Sequence, residues 1–223
     1  MLGLRTARMV FRSRHSAVAV TLYPMVHVGD ARFYEEAYDD DAFAHDVVLV
    51  EGVRSPVGRR LTRSYRWINF KKLGLVLQPK TPPQAAVTAR IVNADLTPDE
   101  FHREWRKVSR LLRAAFAIGA PIIGLYRRFF ASRESLARNM CLEDRKSVDE
   151  VLSWSPTFEP VQHSILHARD VRLCECLALE LDDASEKQVA IVYGARHMRA
   201  VLRELTKRGF RSSDATWRTI FSL

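Results

Sequence analysis

Residues 188–210 read QVAIVYGARHMRAVLRELTKRGF. The opening QVAIVY is a short, β-branched apolar run, the pattern of a strand buried on both faces as in a parallel sheet. In the remainder, Met198, Val201, Leu202 and Leu205 recur at i, i+3, i+4 and i+7, and Gly209 is placed to stop the helix. A buried strand leading through a tight turn into an amphipathic helix is the unit of an α/β protein. The same reading applies towards the amino terminus. Residues 17–26 (AVAVTLYPMV) and 46–51 (DVVLVE) are two more such runs. The first leads through Val28-Gly29-Asp30 into the helical pattern ARFYEEAYDDDAF, in which Asp39-Asp40-Asp41 reads as a solvated helix end. Trp217 to Leu223 reads as a final strand. The fold class expected is α/β, with a mainly parallel central sheet, flanking helices and a helical insertion.

The insertion is expected at about residues 80–155 of one domain spanning 1–223. Lys80-Thr81-Pro82-Pro83 breaks the pattern, and Thr97-Pro98-Asp99-Glu100 is a helix-capping signal. A helix through Phe101, Trp105, Val108, Leu111 and Leu112 should follow. Ala114 to Tyr126 then carries no charge over thirteen residues and is interrupted by Gly119-Ala120-Pro121. Fully helical it would span roughly 20 Å, short of the roughly 30 Å of a bilayer core. Basic residues flank it, from Arg103 to Arg113 before and from Arg127 to Arg133 after. Two readings fit: helices packed around a proline kink, or a surface at 103–133 that dips into an anionic membrane or holds a partner.

A chain of 223 residues can bury a sizeable core without staples. Lys plus Arg total 35 against 26 Asp plus Glu, a formal charge of +9, which favours anionic partners without choosing among them. Three cysteines, Cys141, Cys174 and Cys176, and a basic amino terminus without a continuous apolar core argue against a disulfide framework and a secretory leader. A cytoplasmic location is expected, peripheral to a membrane if the 103–133 surface is used. Residues 54–72 mix basic residues with Tyr65, Trp67 and Phe70 but match no nucleic-acid-binding motif, so no specific nucleic acid is expected. Self-association is left open.

Ligands of parallel sheets bind beyond the carboxyl ends of the strands. The three predicted strands end in His27, Glu51 and, just past Gly194, His197. Two imidazoles and a carboxylate suit a divalent transition metal or general acid–base chemistry. Arg169 and Asp170 sit beside a helical stripe through Leu166, Leu173, Leu177 and Leu181. Arg169 there either locks the helix to the sheet through a salt bridge or reaches under the site to hold an oxyanion. His163 and His167, four apart, form a weaker metal-binding pattern without an adjacent Glu base.

Four elements in this order resemble the TraB/PrgY/GumN/TIKI family, which is similar in turn to the erythromycin-esterase and ChaN-like proteins. They are Pro24-Met25-Val26-His27-Val28-Gly29-Asp30, Val48-Leu49-Val50-Glu51-Gly52, Ala168-Arg169-Asp170 and Val192-Tyr193-Gly194-Ala195-Arg196-His197-Met198. Two positions depart from the family's GxxH elements: Pro24 stands where the first has Gly, and Arg196 stands where a small residue is common in the second. The resemblance implies an α/β sheet with helical additions and a metal-dependent, peptidase-like hydrolase. His27, His197 and Glu51 would hold Mn, Co or Zn, with Glu51 as third ligand or base, and Arg169 would stabilise negative charge developing on a peptide or other carbonyl substrate. The alternative it implies is a non-catalytic regulatory or binding protein at a membrane surface.

Overall fold

The computed structural model describes residues 3–39, 42–52, 55–79, 89–140, 159–183 and 185–223. Lys80-Thr81-Pro82-Pro83, Asp40, Asp41, Arg54 and Cys141 lie outside them. The chain forms two units. One comprises Met1–Gly52, Leu75–Asp95 and Asp170–Leu223; the other comprises Val53–Gly74 and Leu96–Arg169.

The first unit is built on β1 (Gly3–Ser13), β2 (Ser16–Met25), β4 (Val47–Val50), β6 (Arg90–Asn93), β7 (Gln188–Gly194) and β8 (Arg211–Ser222). Their order in the sheet is β6-β4-β7-β2-β1-β8. A two-stranded ribbon joins β3 (Val28–Gly29) to β5 (Val76–Leu77). The four strands β6, β4, β7 and β2 run parallel; β4, β7 and β2 are the apolar runs expected as strands, and β6 falls within the stretch expected to be a helical insertion. The sheet as a whole is mixed, because β1 is antiparallel to both β2 and β8. Only Arg14 and His15 separate β1 from β2, and so short a connection permits only a hairpin. Strand β1 escapes the periodicity because it is half-exposed and carries Arg5, Arg8 and Arg12.

The core lies between this sheet and two helices. Val20, Leu22, Leu49, Val189 and Ile191 meet Leu173 and Leu177 from the helix Ala168–Asp182, and Val201 and Leu205 from the helix Met198–Lys207. Each fully buried Leu or Ile contributes roughly 1.5–3 kcal/mol over leaving it exposed. The second helix ends as its sequence predicts. Gly209 adopts φ +79°, its N–H donates to the Thr206 carbonyl at 3.0 Å, and Phe210 N donates to Leu205 O at 2.9 Å. That pair of bonds closes a Schellman cap, whose left-handed residue favours glycine. Pro24 is also accommodated: β1 pairs with β2 only as far as Leu22, so the missing donor lies past the last rung.

The second unit is helical. Thr97 caps the helix Pro98–Lys107 through a complete capping box with Glu100. The chain breaks at Val108, Ser109 caps a new helix Arg110–Phe130, and the two helices are bent by 113°. The single helix expected through Leu112 is therefore two. The kink expected at Gly119-Ala120-Pro121 is not a break either, because Arg110–Phe130 continues through Pro121. Trp105, Val108 and Val161 form a small apolar cluster with Val57, Leu112, Phe116 and Ile165 around it. Trp67 packs so closely on Gly124 that a Cβ there would lie 3.2 Å from its Cγ, and the Arg127 guanidinium stacks 4.4 Å from the centre of the Tyr65 ring. The aromatic residues of the basic 54–72 stretch thus include two that pack on this helix.

Candidate active site at the carboxyl edge of the sheet

Strands β2, β7 and β4 are neighbours and run the same way, with Met25 beside Gly194 and Val192 beside Val50. Their carboxyl ends therefore open on one edge. His27, Glu51 and His197 all follow those ends, as the order of the sequence implies.

Glu51 and His197 come together around Gly194. The backbone N–H of Gly194 donates to Glu51 Oε2 at 2.7 Å. A Cβ on Gly194 would sit 2.9 Å from that same oxygen and 3.4 Å from His197 Cδ2. Glycine is required here for the approach of two side chains rather than for its φ, which is an ordinary −53°. The peptide beyond Glu51 is also fastened: Gly52 N donates to the buried Asp95 carboxylate at 3.1 Å, and Glu51 N donates to Val192 O at 3.3 Å. A carboxylate on so constrained a turn has little freedom to swing.

His197 is buried in the single turn Ala195–His197 that joins β7 to the helix Met198–Lys207. Its ring stands edge-on to Tyr193 at 4.9 Å between centres. Its Nδ1 lies 2.7 Å from Asp170 Oδ1, with 6% of the His197 side chain and 17% of the Asp170 side chain accessible. A carboxylate can only accept, so the shared proton belongs to Nδ1 and the neutral ring presents Nε2 as an acceptor. This is the arrangement in which a carboxylate fixes the tautomer and orientation of a general base.

Asp170 was legible only as the neighbour of Arg169. The structure gives the contact to the aspartate. Arg169 falls at the end of the second unit, where Nη1 is 3.4 Å from the Ile165 carbonyl one turn back. His27 lies two residues beyond β2 with an exposed side chain, and its carbonyl accepts from Gln78 N at 2.9 Å. Among the described residues, no three His, Cys, Asp or Glu side chains are grouped to share a metal ion. The donors of His27, Glu51 and His197 are not gathered into the three-ligand set that the resemblance implies. His163 and His167 do not make one either: His163 Nδ1 faces Glu104 Oε2 at 3.2 Å within the helical unit.

Two further groups bear on the site. Tyr38 is buried, and burial, with a smaller contribution from the nearby Glu51 carboxylate, raises the pKa of its phenol. Gln78 Nε2 donates to its hydroxyl at 3.1 Å, which pulls the other way. No periodicity or motif singles out Tyr38 or Gln78. Cys174 is held as a thiol: burial first, then the carboxylates of Glu204 and Asp170, push its pKa up to about 11. A thiol so disposed is neither nucleophile nor metal ligand at neutral pH.

No protein-family model, curated protein or solved structure matches this chain.

Proposed function

We propose that this chain is a hydrolase of a carbonyl substrate, an ester or an amide, with His197 as general base. The observation that carries the reading is the 2.7 Å contact of Asp170 with His197 Nδ1, at the carboxyl ends of the parallel strands and beside Glu51. In the step, a water oxygen attacks the carbonyl carbon while its proton passes to His197 Nε2. Asp170 holds the ring and balances the imidazolium charge. The same proton then passes to the leaving oxygen or nitrogen as the bond to carbon breaks. Glu51, pinned by Gly194 N–H, supplies a fixed acceptor that orients the water.

This reading narrows what the family resemblance implies to the groups that come together. A divalent ion bound at such a site would lower the pKa of the attacking water. The described side chains do not form its three-ligand cage, so no step above is routed through it. Arg169 receives no step.

The test is hydrolysis of p-nitrophenyl esters and of a mixed peptide pool by the wild-type chain, His197→Gln and Asp170→Asn. Expected is measurable hydrolysis by wild type that falls by about 10²–10⁴-fold in both variants. Variants that fold and turn over like wild type would reject the dyad. A folded wild type inactive on every ester and amide would leave the regulatory or binding role. A saturable site for Mn²⁺, Co²⁺ or Zn²⁺, lost in His27→Ala and His197→Ala alike, would restore the ion.

A further inference from the structure

The helix Arg110–Phe130 has two unlike sides. One side is turned into its own unit: Phe116 meets Trp105 at 5.9 Å between ring centres, and Gly124 rests on Trp67. The opposite side is apolar and open. Leu111, Ile118, Ile122 and Phe129 are 82%, 66%, 62% and 61% accessible, and Leu125 is exposed as well. At 100° per residue these five positions fall within about 60° of arc on one face. No charged residue interrupts that face between Leu111 and Phe129. Arg110 and Arg128, both exposed, stand along one margin of it near its two ends, and the helix contains no Asp or Glu.

A broad apolar stripe on a free surface marks a site of association. The charge distribution decides the occupant. A second copy laid on this face would bring its own Arg110 and Arg128 against these two without a carboxylate on either helix. An anionic lipid surface meets the arginines with phosphates and the stripe with acyl chain. Arginine side chains at both ends can lie along the apolar boundary with their guanidinium groups among headgroups. Among the described residues, no single helix is long and apolar enough to cross a membrane. Together with Pro98–Lys107 this helix is long and apolar enough only as a pair bent by 113°.

We propose that the outward face of Arg110–Phe130 docks this protein onto an anionic bilayer surface, with Ile118 and Ile122 inserted and Arg110 and Arg128 on lipid phosphates. This is independent of the hydrolase reading, since it uses only the helical unit.

The test is flotation of the full chain with phosphatidylcholine vesicles, with and without phosphatidylglycerol. Binding is expected to be at least about tenfold tighter to the anionic vesicles and to weaken as salt shortens the screening length from about 10 Å to about 3 Å. Ile118→Glu with Ile122→Glu should weaken it by about tenfold or more. Each of Arg110→Gln and Arg128→Gln should weaken it about fivefold. Leu179→Glu, at an exposed apolar position of the other unit, should change nothing. All these side chains are exposed, so melting curves should match wild type. Sedimentation equilibrium on the same samples addresses self-association. The proposal is overturned by no binding to anionic vesicles at low salt. Binding indifferent to Ile118→Glu with Ile122→Glu also overturns it, as does a dimer that those changes dissociate.

Discussion

The two edges of the sheet both collect charged side chains, and they use them differently. At the amino edge, where β6 and β7 begin, Glu180 accepts from Arg90 Nη2 at 2.7 Å and from Lys187 Nζ at 3.1 Å, and Lys187 also reaches Asp183 at 2.7 Å. Lys187 and Glu180 are both buried, and Arg90 and Lys187 each face a carboxylate there. At the carboxyl edge, His197 has Nδ1 committed to Asp170, beside the Glu51 carboxylate that accepts from Gly194 N–H. A cluster whose charges cancel within itself is structural. One that keeps a proton acceptor in reserve can do chemistry. Burial alone would not have told them apart.

The largest effect that would break this contrast is catalytic. Asp170→Asn should remove the acceptor for Nδ1–H and cut turnover by about 10²–10⁴-fold with little loss of melting temperature. A loss of stability without a matching loss of turnover would make the carboxyl edge structural too. Next comes Glu180→Ala at the other edge. It leaves the Lys187 ammonium buried beside Asp183 alone, and breaking a buried pair from one side costs roughly 3 kcal/mol or more. Denaturant unfolding should show that loss, while kcat per folded molecule stays unchanged.

Gly194→Ala is expected to have a smaller effect on stability, roughly 1–2 kcal/mol. Its methyl would press on Glu51 Oε2 and on His197, so hydrolysis should suffer more than folding. Equal loss of both would show that the close approach serves only packing.

The smallest effect is a pH dependence. Lys187 and Ser185 hold the Asp183 carboxyl down from its usual 3.8 to about 2. Its contribution to stability is therefore present above pH ~4 and is lost as the pH falls towards ~2. Lys187 is shifted upward. Burial opposes that shift, but the bonds to Asp183 and Glu180 outweigh it. Its contribution persists through neutral pH and is lost only in strong alkali. Lys187→Met should flatten the acid limb of the stability curve. An unchanged limb would show that Asp183 is not the group responsible.

Several elements were legible because the physical cause is local. Residues 17–26, 46–51 and 188–193 are continuous apolar runs, and interior strands of a sheet covered on both faces bury them. The capping box at Thr97 and the Gly209 cap are short-range backbone solutions that the residue types dictate. Glu51 and His197 were readable as strand-end residues, because parallel strands deliver their ends to a common edge. What tertiary structure alone decided is which of those groups meet. The helix Ala168–Asp182 turns Asp170, not Arg169, onto His197, since neighbours in a helix point about 100° apart and packing of Leu173 and Leu177 sets the phase. The place of β1 between β2 and β8 rests on backbone pairing across the whole length of the chain, for which its own arginine-rich sequence carries no periodic signal. The split of Arg110–Phe130 into a packed and an open face was equally hidden. Its apolar residues nearly encircle the helix, and the packing of Trp67, Trp105 and the residues around them determines which are covered.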